Sequence, residues 1–506
     1  MTSRVFFLSF DLHPASSGIF RSATHTWHTA SGRSPLLLAQ IFAAMRPAIF
    51  ADAVIAASKG SDGHTLAQLF AIGGPVAASV LLEIGDARPH KITVALRKCT
   101  GYLASPWEEM CAQHLGSLYA FSLASSLAAY PPTTPDAEGK TRADRLADAF
   151  DAYNAAVTAF LRHFATLTPG RWALPLLRIL CLNLRWLAVQ ADEAALDAKE
   201  GRTENASQKV AAAVAGEATV ARTSSVANKR LEECARQLNK AFTACIADRN
   251  ADMDESRKWG TYEVVGMVFK TYFRLKSVSL CRNILRALNA AALPPLESFA
   301  KSQQVTFRYY VGVLAFLNEE YERAETELSA ALAMCHRSAT TNQALILTYL
   351  IPVKLLQGRL PCEALFKGSV GDKLQAYRPF ADALRSGDVK AFDAALARPD
   401  IEAWLVKRGT FIAIERAREA TLRTLLKHIC LALPDKPTRV AIKTIHTATT
   451  SDLIGLPYAY QDLEWILATL IYKGYIKGYI AHERGILVLS AKDPFPSLGS
   501  VPITTT

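Results

Sequence analysis

The sequence predicts a mainly α-helical protein, a TPR-like solenoid of helix pairs that ends in a C-terminal winged helix. Three observations predict it. Alanine and leucine dominate, and strand formers are sparse outside the C-terminal segment, a composition that favours helices. A central stretch carries the small-residue spacing of one helical hairpin repeat. Near the end of the chain, helical periodicity gives way to strand, tight turn and strand.

The chain has 506 residues, half of them hydrophobic, which suits about three domains with a sizeable core. Residues 1–34 are rich in Ser, Thr, Arg and His, with Asp11 the only acid. Such a leader reads as a disordered tail or a targeting peptide; the lack of an Arg-rich amphipathic stripe favours disorder. His25 and His28 lie there without a Cys or carboxylate nearby and are not read as metal ligands. Residues 35–228 form an N-terminal helical region. Its turns fall at Gly60-Ser61-Asp62-Gly63 and Ile72-Gly73-Gly74-Pro75, and an exposed loop covers 130–141. A polar Ala/Ser/Thr-rich stretch, 196–228, is expected to be a mobile insert. Helical repeats follow over 229–433, then a winged helix over 434–498 and a tail over 499–506.

Within the repeats, Tyr310 and Gly312 fall on one helix, Asn318-Glu319-Glu320 on a turn, and Tyr321, Ala324, Leu328 and Ala331 on the next. Gly312, Ala324, Leu328 and Ala331 have the offsets of a tetratricopeptide unit, whose small residues let paired helices approach. Pro352, inside an apolar run, is expected to kink its helix or begin it afresh. In the winged helix, Leu463, Ile466, Leu467, Leu470 and Ile471 mark one helical face, and Lys473-Gly474 stops the helix. Tyr475–Ile480 reads as a strand, Glu483-Arg484-Gly485 as a turn and Ile486–Leu489 as a second strand.

The formal net charge is +11. From Arg257 to Tyr310, basic residues that include Arg257, Lys258, Lys270, Arg274 and Lys276 are opposed only by Glu263 and Glu297. Two readings stand: a surface for an acidic partner, or a solvated face balanced by acids in space. Nine cysteines without Cys-x-x-Cys spacing argue for reduced core thiols, not a disulfide framework or zinc site. The apolar run Trp172–Val189 is broken by Pro175, Arg178, Asn183 and Arg185 and reads as a buried amphipathic helix, so no membrane partner is expected.

The chemistry of the winged helix centres on a basic, aromatic patch. Period two puts Tyr475, Lys477 and Tyr479 on one strand face, where a lysine beside two rings offers a phosphate contact and stacking surfaces. Arg484 and His482 add charge at the turn. Arg439, Lys443 and His446 recur at helical spacing upstream, and Lys473 closes the next helix. Sequence-independent contact with RNA or DNA is the expected use, weakening steeply with salt. Tyrosines packing on a partner protein are the alternative. Asp462 and Glu464 near the start of the recognition helix argue against sequence-specific duplex reading.

Enzyme signatures are missing: no Gly-x-x-x-x-Gly-Lys, no Gly-x-Gly-x-x-Gly before a helix, no His-Glu-x-x-His. Cys335-His336-Arg337 reads as a helix end with Arg337 bonding nearby carbonyls, because adjacent helical residues point about 100° apart and no orienting Asn or Asp is evident. No catalytic residue, cofactor or metal is assigned.

Several motifs carry a resemblance. They are Pro106-Trp107-Glu108-Glu109-Met110, Trp172-Ala173-Leu174-Pro175, Cys181-Leu182-Asn183-Leu184-Arg185 and Ser256-Arg257-Lys258-Trp259-Gly260. Further on come Val305–Gly312, Cys335–Ser338, Tyr349–Leu356, Leu470–Ile480 and Pro494-Phe495-Pro496. Over roughly 36–498 the chain resembles PCI-domain proteins. The subgroup includes the PCI subunit of the nuclear mRNA-export complex called transcription-and-export complex 2 and a signalosome-associated PCI protein. The first 34 residues and the longer, less charged 196–228 insert depart from that pattern.

The resemblance implies stacked helix pairs capped by a winged helix. It implies two partners, a large scaffold subunit of PCI type and a small acidic protein shared with the proteasome lid. The basic helices, through Arg257, Lys258, Lys270, Arg274 and Lys276, would accept the acidic protein. It further implies a non-catalytic role coupling transcription to mRNA export, in the nucleus and at the nuclear pore with some in the cytoplasm. The alternative is a structural subunit of a signalosome-like or proteasome-lid-like assembly that binds no nucleic acid.

Overall fold

The computed structural model describes residues 47–84, 106–204, 228–434 and 437–502. The leader, most of the polar insert and the last four residues lie outside that set. The chain divides into two compact units at Phe299/Ala300.

In the unit before Ala300, helices α1 (Pro47–Lys59), α2 (Gly63–Leu69) and α3 (Pro75–Ile84) precede α4 (Trp107–Ser126), α5 (Arg142–Phe164) and α6 (Leu174–Glu204). Then follow α7 (Lys229–Ile246), α8 (Thr261–Arg274) and α9 (Cys281–Ala290). A reciprocal capping box between Thr141 and Asp144 starts α5 by satisfying amides that have no intrahelical partner. Successive helices pack in pairs, α4 on α5, α5 on α6, and α7 on α5, α6 and α8. The segment Arg171–Lys199 is long and apolar enough to cross a membrane, but half of its most apolar window is buried inside the unit, with Leu176, Leu180, Leu184, Leu187 and Ala191 in the core.

The second unit opens with the expected hairpin. Helix α10 (Lys301–Leu317) packs on α11 (Tyr321–Met334) across Asn318-Glu319-Glu320. Ala324, Leu328 and Ala331 are fully buried, and a Cβ on Gly312 would sit 2.7 Å from Leu328 Cγ, which explains the glycine. Helix α12 (Thr340–Leu356) continues through Pro352 rather than restarting there. After the short α13 (Gly368–Gly371), helices α14 (Arg378–Ser386), α15 (Val389–Leu396) and α16 (Pro399–Arg408) pack on the long α17 (Phe411–Ala432) or on each other.

Helix α17 leads into the winged helix: β1 (Arg439–Ala441), α18 (Ile442–Thr450), α19 (Tyr460–Tyr472), β2 (Gly478–Ala481) and β3 (Ile486–Leu489). The sheet is antiparallel in the order β1-β3-β2. One apolar core joins Leu422, Leu425, Leu426 and Ile429 of α17 to Ile442, Ile445, Leu463, Leu467, Leu470, Leu487 and Leu489. The predicted stripe on α19 therefore faces inward, and Gly474, at φ 82°, ends the helix in a conformation that side-chain-bearing residues avoid.

Candidate nucleic-acid interface

The winged-helix patch assembles only in part. Tyr475 does not share a strand face with Tyr479. The strand begins at Gly478, so Tyr475 lies in the preceding turn, where it is buried in the core and its hydroxyl pKa is pushed up to about 12 by burial and by Glu419. It offers no stacking surface. Lys473 is also withdrawn: its side chain is 19% exposed, and its Nζ lies 2.5 Å from Glu419 of α17. Lys477 is exposed but paired with Asp493 at 3.0 Å. Both lysines follow helix α19, and the chain there turns back onto α17 and the 490–496 segment, where carboxylates neutralise them.

What remains is a smaller cluster on the sheet and the wing. Arg439 lies on strand β1 rather than on a helix, and its register partner is Val488, whose partner across the sheet is Tyr479. The alternation of strand side chains puts Arg439, Val488 and Tyr479 in one row on one face. Arg439 and Tyr479 are exposed, Tyr479 by 62%. At the other end of the sheet, the Ile442 amide donates to the Gly485 carbonyl at 2.8 Å, which brings the neighbouring Lys443 and Arg484 to the same end of the sheet. Both are exposed. Arg439, Lys443 and Arg484 have no ion-pair or side-chain hydrogen-bond partner among the described residues. This arrangement offers three cations and a ring for a phosphate backbone and one base.

The acids of the recognition helix have local work. Asp462 accepts from the Ala459 amide at 3.4 Å, and Glu464 lies 2.6 Å from His482 Nδ1. Hydrogen bonding to that carboxylate, and its charge, raise the His482 pKa. His446 is held by its Nε2, 3.0 Å from the Tyr458 carbonyl, and contributes no free charge donor on that side. The strand β1 was missed because three residues after Pro437 give no readable alternation. Trp465 and Tyr472 were missed because they fall between the core positions of α19. They are 70% and 83% exposed, and seven residues apart they share one helical face.

The basic stretch in the first unit is mostly paired. Arg257 is buried, with one Nη 3.1 Å from Asp248 and the other on the Phe164 carbonyl, so it cannot reach a partner. Burial alone would raise the Asp248 pKa, but hydrogen bonds from Arg257 and Ser256 outweigh it and hold the carboxyl at about 2. Lys258 donates to the Ala292 carbonyl at 2.9 Å, and Arg274 meets Glu193 at 2.5 Å. Lys276 is exposed and Lys270 half-buried.

Cys335 follows α11, and the carbonyls of His336 and Arg337 accept from Gln343 Nε2 at 3.0 and 3.3 Å. Gln343, not Arg337, thus closes that turn. Among the described residues no group of three or more His, Cys, Asp or Glu side chains is placed to hold a metal.

Helix hairpins leading through one long helix into a three-stranded winged helix define a PCI-type module, and the PCI domain family matches residues 399–491. The chain is 67% identical over 469 residues to a Mycosarcoma maydis protein named Protein CSN12 homolog, covering 91% of this chain and all of that one. It is 38% identical to the Neurospora crassa protein of the same name, over 69% of this chain and 78% of the relative. It is 29% identical to PCI domain-containing protein 2 of Danio rerio, over 88% and 97%. The chain belongs to the family of CSN12 homologs and PCI domain-containing protein 2.

Proposed function

We propose that the protein is a non-catalytic scaffold subunit of a nuclear mRNA-export complex that touches RNA or DNA through its winged helix. The observation that carries the nucleic-acid part is the row Arg439–Val488–Tyr479 with Lys443 and Arg484 at the adjoining wing: cations unpaired among the described residues, beside an exposed ring. With the acids Asp462 and Glu464 at the start of α19 set against a phosphate backbone, contact runs through the sheet and wing to backbone and stacked bases, and is independent of sequence,. The export role and the nuclear location are supported by the resemblance of the many motifs quoted above. A large scaffold subunit with its own PCI fold binds the helical repeats, and a small acidic protein meets the basic helices near Lys258, Lys270, Arg274 and Lys276.

The test is a gel shift of the purified complex with single-stranded RNA. Charge reversal at Arg439, Lys443 and Arg484 weakens binding about tenfold or more, since charge-assisted contacts contribute about 1.5–3 kcal/mol each. Reversal at Lys473 and Lys477 has little effect. Unchanged affinity in a folded triple variant rejects the interface.

A second reading, a structural subunit of a signalosome-like or lid-like assembly, is favoured by the exposed Trp465 and Tyr472 on α19, a surface suited to a protein partner. Affinity purification from cells separates the two, by recovering export factors in one case and isopeptidase subunits in the other.

A further inference from the structure

The turn of the wing is held to helix α19 at two points. A Cβ on Gly485 would lie 2.8 Å from the Tyr460 hydroxyl, so that hydroxyl closes against the turn. One helical turn further on, His482 Nδ1 lies 2.6 Å from a Glu464 carboxylate oxygen. Tyr460 and Glu464 stand four residues apart and share one face of α19. The Glu464 side chain is largely covered, whereas that of His482 is open to solvent. Glu464 has no other hydrogen-bond or ion-pair partner among the described residues.

The charged groups around this contact are few. Helix α19 contributes Glu464, and the turn contributes Glu483 and Arg484. Lys443 stands at the start of α18, where the Ile442 amide donates to the Gly485 carbonyl. The hydrogen bond to Glu464, then its charge and that of Glu483, raise the His482 pKa above the ordinary value of 6.5, which brings the loss of its charge toward physiological pH. Below that pKa, imidazolium and carboxylate cancel. Above it, the neutral imidazole still has an Nδ1 hydrogen to donate. The contact then survives, but the Glu464 charge is left unanswered beside Arg484 and Lys443.

We propose that His482 and Glu464 form a pH-responsive switch at the edge of the nucleic-acid interface, in which the protonated imidazole cancels a carboxylate that otherwise repels the phosphate backbone next to Arg484. The switch rests on the reading of the winged helix as a nucleic-acid contact, and supplies its regulation. One unit of screened surface charge near a phosphate changes binding about two- to threefold. Affinity is therefore higher on the acid side of the His482 titration and falls as pH rises through it.

The experiment is fluorescence anisotropy of the full-length protein with a labelled single-stranded RNA, at fixed ionic strength, from about pH 5 to 8. The wild type loses about two- to threefold in affinity across the titration. His482→Gln, which keeps a hydrogen-bond donor without the charge, binds at the wild type's high-pH level throughout. Glu464→Gln binds more tightly than the wild type at high pH, and its pH dependence moves to lower pH. Isotope labelling of the histidines reads the same displacement by NMR without RNA, the His482 signal being assigned by its absence from His482→Gln. Wild-type binding that ignores pH, or a pH dependence that His482→Gln leaves intact, overturns the switch alone. So does a His482 titration that Glu464→Gln does not move. Absence of RNA binding at every pH overturns the switch together with the nucleic-acid reading.

Discussion

At the scale of single residues, partners decide what a charge can do. Arg257 and Lys473 look like surface cations in the sequence, yet each is tied to a carboxylate inside its unit. Asp248 shows the consequence for stability. It accepts from Ser256 Oγ at 2.9 Å, from the Arg257 amide at 2.7 Å and from its guanidinium. Asp248→Asn leaves a buried guanidinium without its counter-charge and lowers unfolding free energy by about 3–5 kcal/mol, measured by urea titration at neutral pH. The sign with pH follows from the depressed carboxyl. The pair's contribution is complete above the unfolded carboxyl pKa near 4, and is lost as pH falls through about 2,. The wild type therefore loses its advantage over Asp248→Asn across that acid window. A difference independent of pH between 5 and 2 refutes the assignment. None of this was legible beforehand, because Asp248 and Arg257 sit on either side of an irregular turn whose path periodicity does not describe.

At the scale of elements, helices and wing were legible where one face is apolar and a glycine marks the end. The stripe of α19, its stop at Gly474 and strand β3 fall at their predicted places. Strand β2 starts three residues later than the pattern Tyr475–Ile480 predicts: Tyr475 and Ile476 alternate like strand residues but fill the core in the turn. That shift, and the three-residue β1, separate the expected patch from the observed one. The central hairpin permits a sharper test. A Cβ on Gly312 meets Leu328 Cδ2 at 2.9 Å and the Leu328 amide nitrogen at 3.2 Å, and backbone cannot swing aside. Gly312→Ala gains about 1 kcal/mol of helix propensity but overpacks a close helix pair at a cost of about 1–3 kcal/mol, so the net is a loss. Gly116, within α4, has nothing within 4 Å of its added Cβ, and Gly116→Ala raises stability by up to about 1 kcal/mol. Thermal melts of the two variants should move in opposite directions.

At the scale of the whole molecule, a net charge of +11 invites the idea that nucleic acid binds wherever lysine and arginine are dense. The geometry argues otherwise. In the dense run from Arg257 onward, Arg257 and Arg274 are neutralised by carboxylates within their unit, whereas the winged helix keeps Arg439, Lys443 and Arg484 unpaired among the described residues. Counterion release turns this contrast into a number. For single-stranded RNA the slope of log K against log salt is about −0.7 per phosphate neutralised, so three cations predict a slope near about −2. Charge reversal of the three should flatten it toward zero. Binding spread over the chain's general positive charge would instead give a steeper slope that the triple variant leaves nearly intact. Fluorescence anisotropy with a labelled RNA across a salt series distinguishes these. A slope unchanged by the triple variant would mean that the row Arg439–Val488–Tyr479 is not where the strand lies, and would leave the face bearing Trp465 and Tyr472, and with it protein docking, as the use of the winged helix.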